Sequence, residues 1–551
     1  MSMTVGVAAN VEGVPSRRED LGRVTSNSPA DPAQTEENPF VRTTALSLAV
    51  LLVLGVLSLA PASATEGGEN ITPVHNLPFP TAGSGEGTDS DFLTYDIDPT
   101  DGVNERTVGV FGSIGAGAWI LDVTDGGEPT QLAFYSCSIG QGDIQIFQQG
   151  DKTYFTFTDD GYSTERNEPS ACQQWAKGDA DFTGGNKQGT FIVDITDPTS
   201  PTNVDFIPFP RGSHNQTVHP SGNFLYNSNS ELITNAANAG IEVWEITDIA
   251  TTAPVSHGVM PLPVRPGLGT DSHDITFNAD GSRAYSAALS QTVIINTEDP
   301  AEPFVVTSFV DPAINVEHQA NPVTLTDPLL GEREFLIVED EFAGAAGAEQ
   351  TCPSGGTHVY DITDETLPVK VGSWYVGDVA NTNAVGLNSC TAHVFDIHED
   401  AQIMTMSFYG GGVRVIDLTG LVGLSVGGVG VGMKEIGYHR FEDSNSWSVK
   451  APLVERNEDG SLKDFHLYSN DINRGVDTYL FSTGGEVATG TGNGEWFPGT
   501  SFVETFGAAV MPADYEPFCL LRAAGETVRG IAAPALIDGG TGVLLGDITA
   551  A

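Results

Sequence analysis

The chain is 551 residues long and carries 73 acidic against 23 basic residues, a formal net charge of -50, with only seven lysines. A surface this anionic repels phosphate backbones and anionic lipid, which argues against nucleic acid or membrane-surface partners and suits cation binding or a salty, extracytoplasmic setting. An apolar fraction of 40% excludes a wholly disordered chain.

Residues 1–64 read as a polar leader plus an export signal. The first forty residues are polar and rich in Pro and Ser, and the apolar run Ala45–Ala60 ends in Pro61-Ala62-Ser63-Ala64, the small residues that signal peptidase requires. Sixteen residues is short for a membrane span, so cleavage after Ala64 is expected rather than a retained anchor, leaving no stable span. Val41-Arg42-Thr43-Thr44 makes an ordinary short basic start, and translation is expected to begin at Val41, while Arg17-Arg18 lies far from the apolar run for a twin-arginine route. Residues 65–88 follow as an N-terminal segment of a secreted or cell-surface protein.

From residue 89 to 482 one phrase recurs. It reads Gly117-Ala-Trp-Ile-Leu-Asp122-Val-Thr124, then Gly189 to Asp194, Gly240 to Glu245, Gly356 to Asp361 and Gly412 to Asp417, with looser copies at Gln291 to Asn296 and Gly475 to Leu480. The sixth residues of the seven copies are separated by 72, 51, 51, 65, 56 and 63, near the length of a four-stranded propeller blade with insertions. Alternating apolar residues make each copy a strand that must stack on its neighbours, and seven units closing into a ring leave no exposed edge. The fold class is therefore all-β, a seven-bladed β-propeller with four-stranded blades.

A second phrase precedes the first, as in Thr270-Asp-Ser-His273 to Asn278, His214 to His219, His393 to His398 and Thr88-Asp-Ser-Asp91, and reads as a strand before a tight turn. Blade four then predicts strands at His273–Asn278, Arg283–Leu289, Thr292–Thr297 and Phe304–Val310. Alternating strand directions put the start of each inner strand and the loop between second and third strands on one face, the top. Long insertions after Asp160 in blade two and Glu341 in blade five fall there. They carry Cys172 and Cys352, opposite Cys137 and Cys390 in neighbouring connections, so disulfides Cys137–Cys172 and Cys352–Cys390 are expected outside the cytosol. Cys519 is left over in the Gly-rich segment 483–551, whose structure the pattern does not assign.

The repeats resemble those of the LVIVD-repeat family of bacterial and archaeal cell-surface propellers, over roughly Asp89 to Ser482. The resemblance implies the fold and leaves function open, since a propeller hosts enzymes and inert scaffolds alike.

His214, His273, His318 and His393 each open the inner strand of one of four consecutive blades, so they are expected to converge at the top mouth of the channel. Imidazole is the commonest transition-metal ligand, and the set resembles the metal site of carotenoid oxygenases and the channel histidines of selenium-binding and methanethiol oxidase propellers. Copper, iron or manganese would suit it. The set is lopsided, with Asp91, Gly142 and the Ser446-Trp447 region at the corresponding places in blades one, two and seven. The competing reading is that such histidines satisfy backbone groups between blades, as in tryptophan-aspartate repeat propellers. Glu231 and Glu339 end second strands near the same face and could orient imidazoles from behind the ligands, or be solvated loop residues. His219 and His398 belong to turns on the opposite face. Asp96-Ile-Asp98-Pro-Thr-Asp101-Gly102 has carboxylates near calcium-loop spacing, but its glycine is one residue late for an EF-hand. No serine-nucleophile elbow, phosphate loop or dinucleotide fingerprint occurs. Two functions stand: an exported propeller binding an unknown ligand or protein partner on its top face, and a metal-dependent oxidoreductase using the histidine cluster.

Overall fold

A computed structural model of the protein describes residues 67–80, 86–98, 100, 105–160, 171–176, 188–209, 211–229, 239–265, 269–341, 355–376, 391–423, 432–484, 494–498, 527–528 and 548–549. The expected export signal, Glu231, Cys352, Cys390 and Cys519 lie outside the described residues.

Every copy of the repeated phrase forms the third strand of a blade: Gly117–Asp122, Gly189–Asp194, Gly240–Glu245, Thr292–Asn296, Thr357–Asp361, Val413–Gly420 and Gly475–Phe481. Its fourth and fifth residues point to opposite faces of the sheet, and both faces are covered because blades pack on each side. Ile120 and Leu121, Ile192 and Val193, and Val415 and Ile416 are all 0% exposed. The polar end of the phrase shapes the following turn. Asp122 Oδ1 accepts from Thr124 N at 3.0 Å, and Thr124 Oγ1 in turn accepts from Thr107 N of the second strand at 2.9 Å. Asp194 with Thr196 and Asp361 with Thr363 repeat the arrangement. The opening glycine is required by the fourth strand: a Cβ at Gly117 would lie 2.0 Å from Tyr135 O.

The innermost strands are Glu86–Tyr95, Ile144–Gln149, Asn215–Val218, Asp274–Phe277, Glu317–Asp327, His393–His398 and Ser446–Lys450. Each contacts the next, and Ser446–Lys450 returns to Glu86–Tyr95, so the antiparallel sheets close into a seven-bladed β-propeller. Blade four is built from Asp274–Phe277, Arg283–Ala287, Thr292–Asn296 and Phe304–Phe309, within two residues of expectation at every boundary.

The propeller takes in more of the chain than 89–482. Ile71–Leu77 pairs with Gly475–Phe481 and supplies the outer strand of blade seven, so the two ends of the repeat region are joined in one sheet. A Cβ at Gly475 would lie 2.7 Å from Leu77 O, the approach that the fourth strand makes in the other blades. Pro73 is tolerated there because the strand is at a sheet edge and its register shifts between Pro73 and His75. Gly67–Glu69 adds a fifth strand to blade six, and Gly494–Pro498, from the C-terminal segment, adds one to blade five.

The third residue of the phrase faces a neighbouring blade and often carries charge into the interior. Arg414, 1% exposed, donates to Glu435 at 3.2 Å and to Gly411 O at 2.5 Å. His358 joins Lys370, whose Nζ lies 2.7 Å from His358 Nδ1 and donates to Asp311. The Tyr360 hydroxyl also donates to Asp311, at 2.5 Å. Cys137 and Cys172 form the expected disulfide, tying the blade-two insertion to the connection from blade one.

Candidate functional site at the channel mouth

The inner strands share a local device near their top ends. Register shifts fall between Gly87 and Ser90, Glu317 and Ala320, His393 and Phe395, and Ser446 and Ser448. Such bulges place an extra residue opposite the second strand and re-aim its side chain. His318 and Trp447 lie inside two of them and His393 opens a third. His214 N and His273 N donate to Ser228 O and Ala287 O, the residues already opposite Asn215 and Asp274, which produces the same two-for-one count.

The four imidazoles consequently form one arc. Ring centroids are 4.4 Å apart for His214 and His273, 4.1 Å for His273 and His318, and 4.2 Å for His318 and His393. Tyr409 and Trp447 end the arc, each 4.6 Å from His393.

Each imidazole has a different set of partners. His393 Nδ1–H donates to Trp447 O at 2.6 Å, leaving Nε2 as an acceptor 3.8 Å from Glu341 Oε1. His318 Nδ1 is hydrogen-bonded to Glu339 Oε2 at 3.1 Å, and its Nε2 lies 3.9 Å from Glu341 Oε2. His273 Nδ1 is buried and has no hydrogen-bond partner among the described residues, while the ring faces the His318 backbone. His214 stands apart: Gln141 Nε2 reaches its Nε2 at 3.3 Å and Asp160 lies 3.7 Å from its Nδ1. The backbone-satisfying role expected of a structural histidine is thus met at one nitrogen of His393, toward Trp447 O, and by the His273 ring toward the His318 backbone.

Burial, followed by the neighbouring imidazoles, holds His273 and His393 well below the usual imidazole range. Burial also lowers His318, against the opposing pull of Glu341. Burial raises Glu339 well above the carboxylate range and raises Glu341 as well, which His318 and the Tyr409 hydroxyl, donating at 2.8 Å, partly offset. Burial therefore favours the neutral form of His273, His318 and His393.

Glu341 was not among the sequence candidates. It shares a face with Glu339 by strand alternation, and that period of two is the signal that pointed to it. Asp91 is a correction in the other direction. The bulge between Gly87 and Ser90 moves it out of the histidine position, and its Oδ2 accepts from Ile146 N at 2.6 Å. Thr88, three residues earlier, is the residue that reaches Gly142 O, at 2.9 Å. His219 bonds Ser221 and Gly281 O and serves a turn, as expected.

Below the arc the channel holds a cavity of ≈ 490 Å³, reached by His318 and His393 and lined by Asp89, Asp91, Asp143, Asp274 and Asp396. Lys450 is its one cation among the described residues and pairs with Asp89 at 3.2 Å. Burial raises Asp91 and Asp274 to about 6, and burial, with Asp89 and Asp274, holds Asp143 well above the usual carboxylate range.

These features define a seven-bladed β-propeller with a histidine and carboxylate cluster at one end of an acidic channel. No protein-family model matches the chain, and no curated protein matches it. Among solved structures it is similar to the β-propeller domain of Myceliophteria thermophila Cps50 (Swd1), at 12% identity and a TM-score of 0.43, over 73% of this chain and 99% of that one. Kuenenia stuttgartiensis hydrazine synthase aligns at 11% identity and a TM-score of 0.43, over 75% of this chain and 99% of that one. A protein from Lactobacillus plantarum aligns at 14% identity and a TM-score of 0.41, over 75% and 99%.

Proposed function

We propose that the protein is an exported propeller of the LVIVD-repeat kind that binds a small polar ligand, or a partner presenting one, at the mouth of its central channel. The observation that carries this reading is the channel itself: a polar cavity of ≈ 490 Å³ whose upper end is walled by His318 and His393. Concave sites with a few convergent polar groups are where ligands are usually held. Five aspartates against one lysine favour a neutral polyol or a cation over an anion. Kinship with LVIVD-repeat proteins is supported by all seven phrase copies falling on third strands. Export is supported by the apolar run and the Ala62-Ser63-Ala64 ending. The oxidoreductase reading depends on a metal at the arc.

The test is a melting-shift panel of polyols, amino sugars and polyamines on the exported protein and on a variant carrying Asp143→Asn and Asp274→Asn. A shift that disappears in the variant supports channel binding. An equal shift in both proteins would place the ligand elsewhere and refute the reading.

A further inference from the structure

We infer that the channel mouth is a mononuclear site for a divalent transition-metal ion, held by His273, His318, His393 and Glu341. The inference rests on the reading of the mouth as the binding centre, and it alters the ligand set that spacing alone suggested. His214 leaves the set, because Gln141 occupies its Nε2 and it stands outside the group formed by His273, His318 and Glu341, and Glu341 enters it.

One atom from each of His273, His318 and Glu341 falls within a group no wider than 4.8 Å. Donors bonded to one ion at ~2.0–2.2 Å stand roughly 3–4 Å apart, so closing the group needs side-chain movements on the order of 1 Å. The partners of these residues point the same way. With His318 Nδ1 committed to Glu339 and His393 Nδ1 to the Trp447 carbonyl, both Nε2 atoms face the Glu341 carboxylate, at 3.9 and 3.8 Å. Those separations are too long for hydrogen bonds. The His393 Nε2 lone pair directed at a carboxylate oxygen repels it, and one cation between the three groups converts that repulsion into bonds.

The second, independent observation is His273. Its side chain is buried to 5% exposure, and its Nδ1 has no hydrogen-bond partner among the described residues. A buried nitrogen left without a partner is destabilising, and the His273 ring adjoins His318 at a centroid distance of 4.1 Å. Metal-bound histidines characteristically give their other ring nitrogen to a carboxylate or a backbone carbonyl, the roles that Glu339 and Trp447 O fill here. The Tyr409 hydroxyl donates to Glu341 Oε1 at 2.8 Å and fixes the carboxylate beside His393. Three imidazoles and one carboxylate suit zinc, copper, nickel or ferrous iron and do not suit calcium, which takes oxygen ligands.

The experiment uses the full chain expressed with its leader, stripped with a chelator and titrated separately with Zn²⁺, Cu²⁺, Ni²⁺ and Ca²⁺ by calorimetry in high salt, so that the anionic surface is screened. One equivalent of a transition ion, undisturbed by Ca²⁺, is expected. Glu341→Gln retains the shape and the Tyr409 contact but loses the charge, and should weaken the transition ion beyond the ~10–100-fold typical of losing an outer partner. Should that variant fail to fold, His273→Gln provides the same comparison. No uptake by the parent, or equal affinity in parent and variant, overturns the inference. A ligand that still gives the channel-dependent melting shift in a protein taking up no metal would remove the metal alone and leave the binding centre standing.

Discussion

The imidazole of His393 donates its Nδ1–H to the backbone carbonyl of Trp447 across the boundary between blades six and seven, at 2.6 Å. Because the acceptor is a carbonyl, the tautomer is set and Nε2 keeps its lone pair. The same contact sets the Trp447 indole edge-on to the ring, with centroids 4.6 Å apart. Cu²⁺ bound at His393 should therefore quench Trp447, and Trp447→Phe, which keeps the backbone acceptor, should retain copper affinity while losing that part of the quench. Identical quenching in parent and variant would place the copper elsewhere.

Asp311 supplies a pH-dependent prediction away from the mouth. Burial works to raise its pKa, but the Lys370 ammonium and His358 outweigh it and bring it from 3.8 down to about 2. An acid with a depressed folded pKa contributes stability that is complete above its unfolded value and is lost as pH falls through its folded one. The contribution, about 2 kcal/mol, should be present above roughly pH 4 and disappear towards pH 2. In Asp311→Asn the urea midpoint should fall at pH 5, and the difference from the parent should narrow by pH 2. A constant difference would contradict the pairing.

The Arg414–Glu435 pair predicts an asymmetry. Arg414→Ala leaves a carboxylate buried without its partner and should cost about 3–5 kcal/mol in denaturant unfolding, whereas Arg414→Met with Glu435→Leu should recover most of the loss. Single and double variants of equal stability would show that the pair contributes nothing to the blade.

How far the fold was legible depended on how local each cause was. Asp122 and Thr124 close a turn two residues long, and Gly117 answers to the adjacent strand, so the phrase carries its own structural reasons and seven blades could be counted from it. The strand Ile71–Leu77 carries no phrase, and its partner lies some 400 residues away, so nothing local marked it as part of blade seven. At the site, the histidines were visible because each opens an inner strand. Glu341 and the true place of Asp91 depended on bulges and alternation near strand ends, where a one-residue slip redirects a side chain.

That terminal strand is open to a direct check. Deleting residues 65–80 exposes the Gly475–Phe481 edge, which should lower the melting temperature and promote association through the unpaired strand. A deletion variant that melts with the parent and stays monomeric would show that the ring closes without it.

The account centres on a metal at the channel mouth, and elemental analysis of the full chain as expressed, parent beside His273→Ala, tests it most directly. The account predicts near one equivalent of a transition metal in the parent and its loss from a variant that still folds. A metal-free parent, together with a destabilised His273→Ala, would contradict it and leave the histidines as structural links between blades.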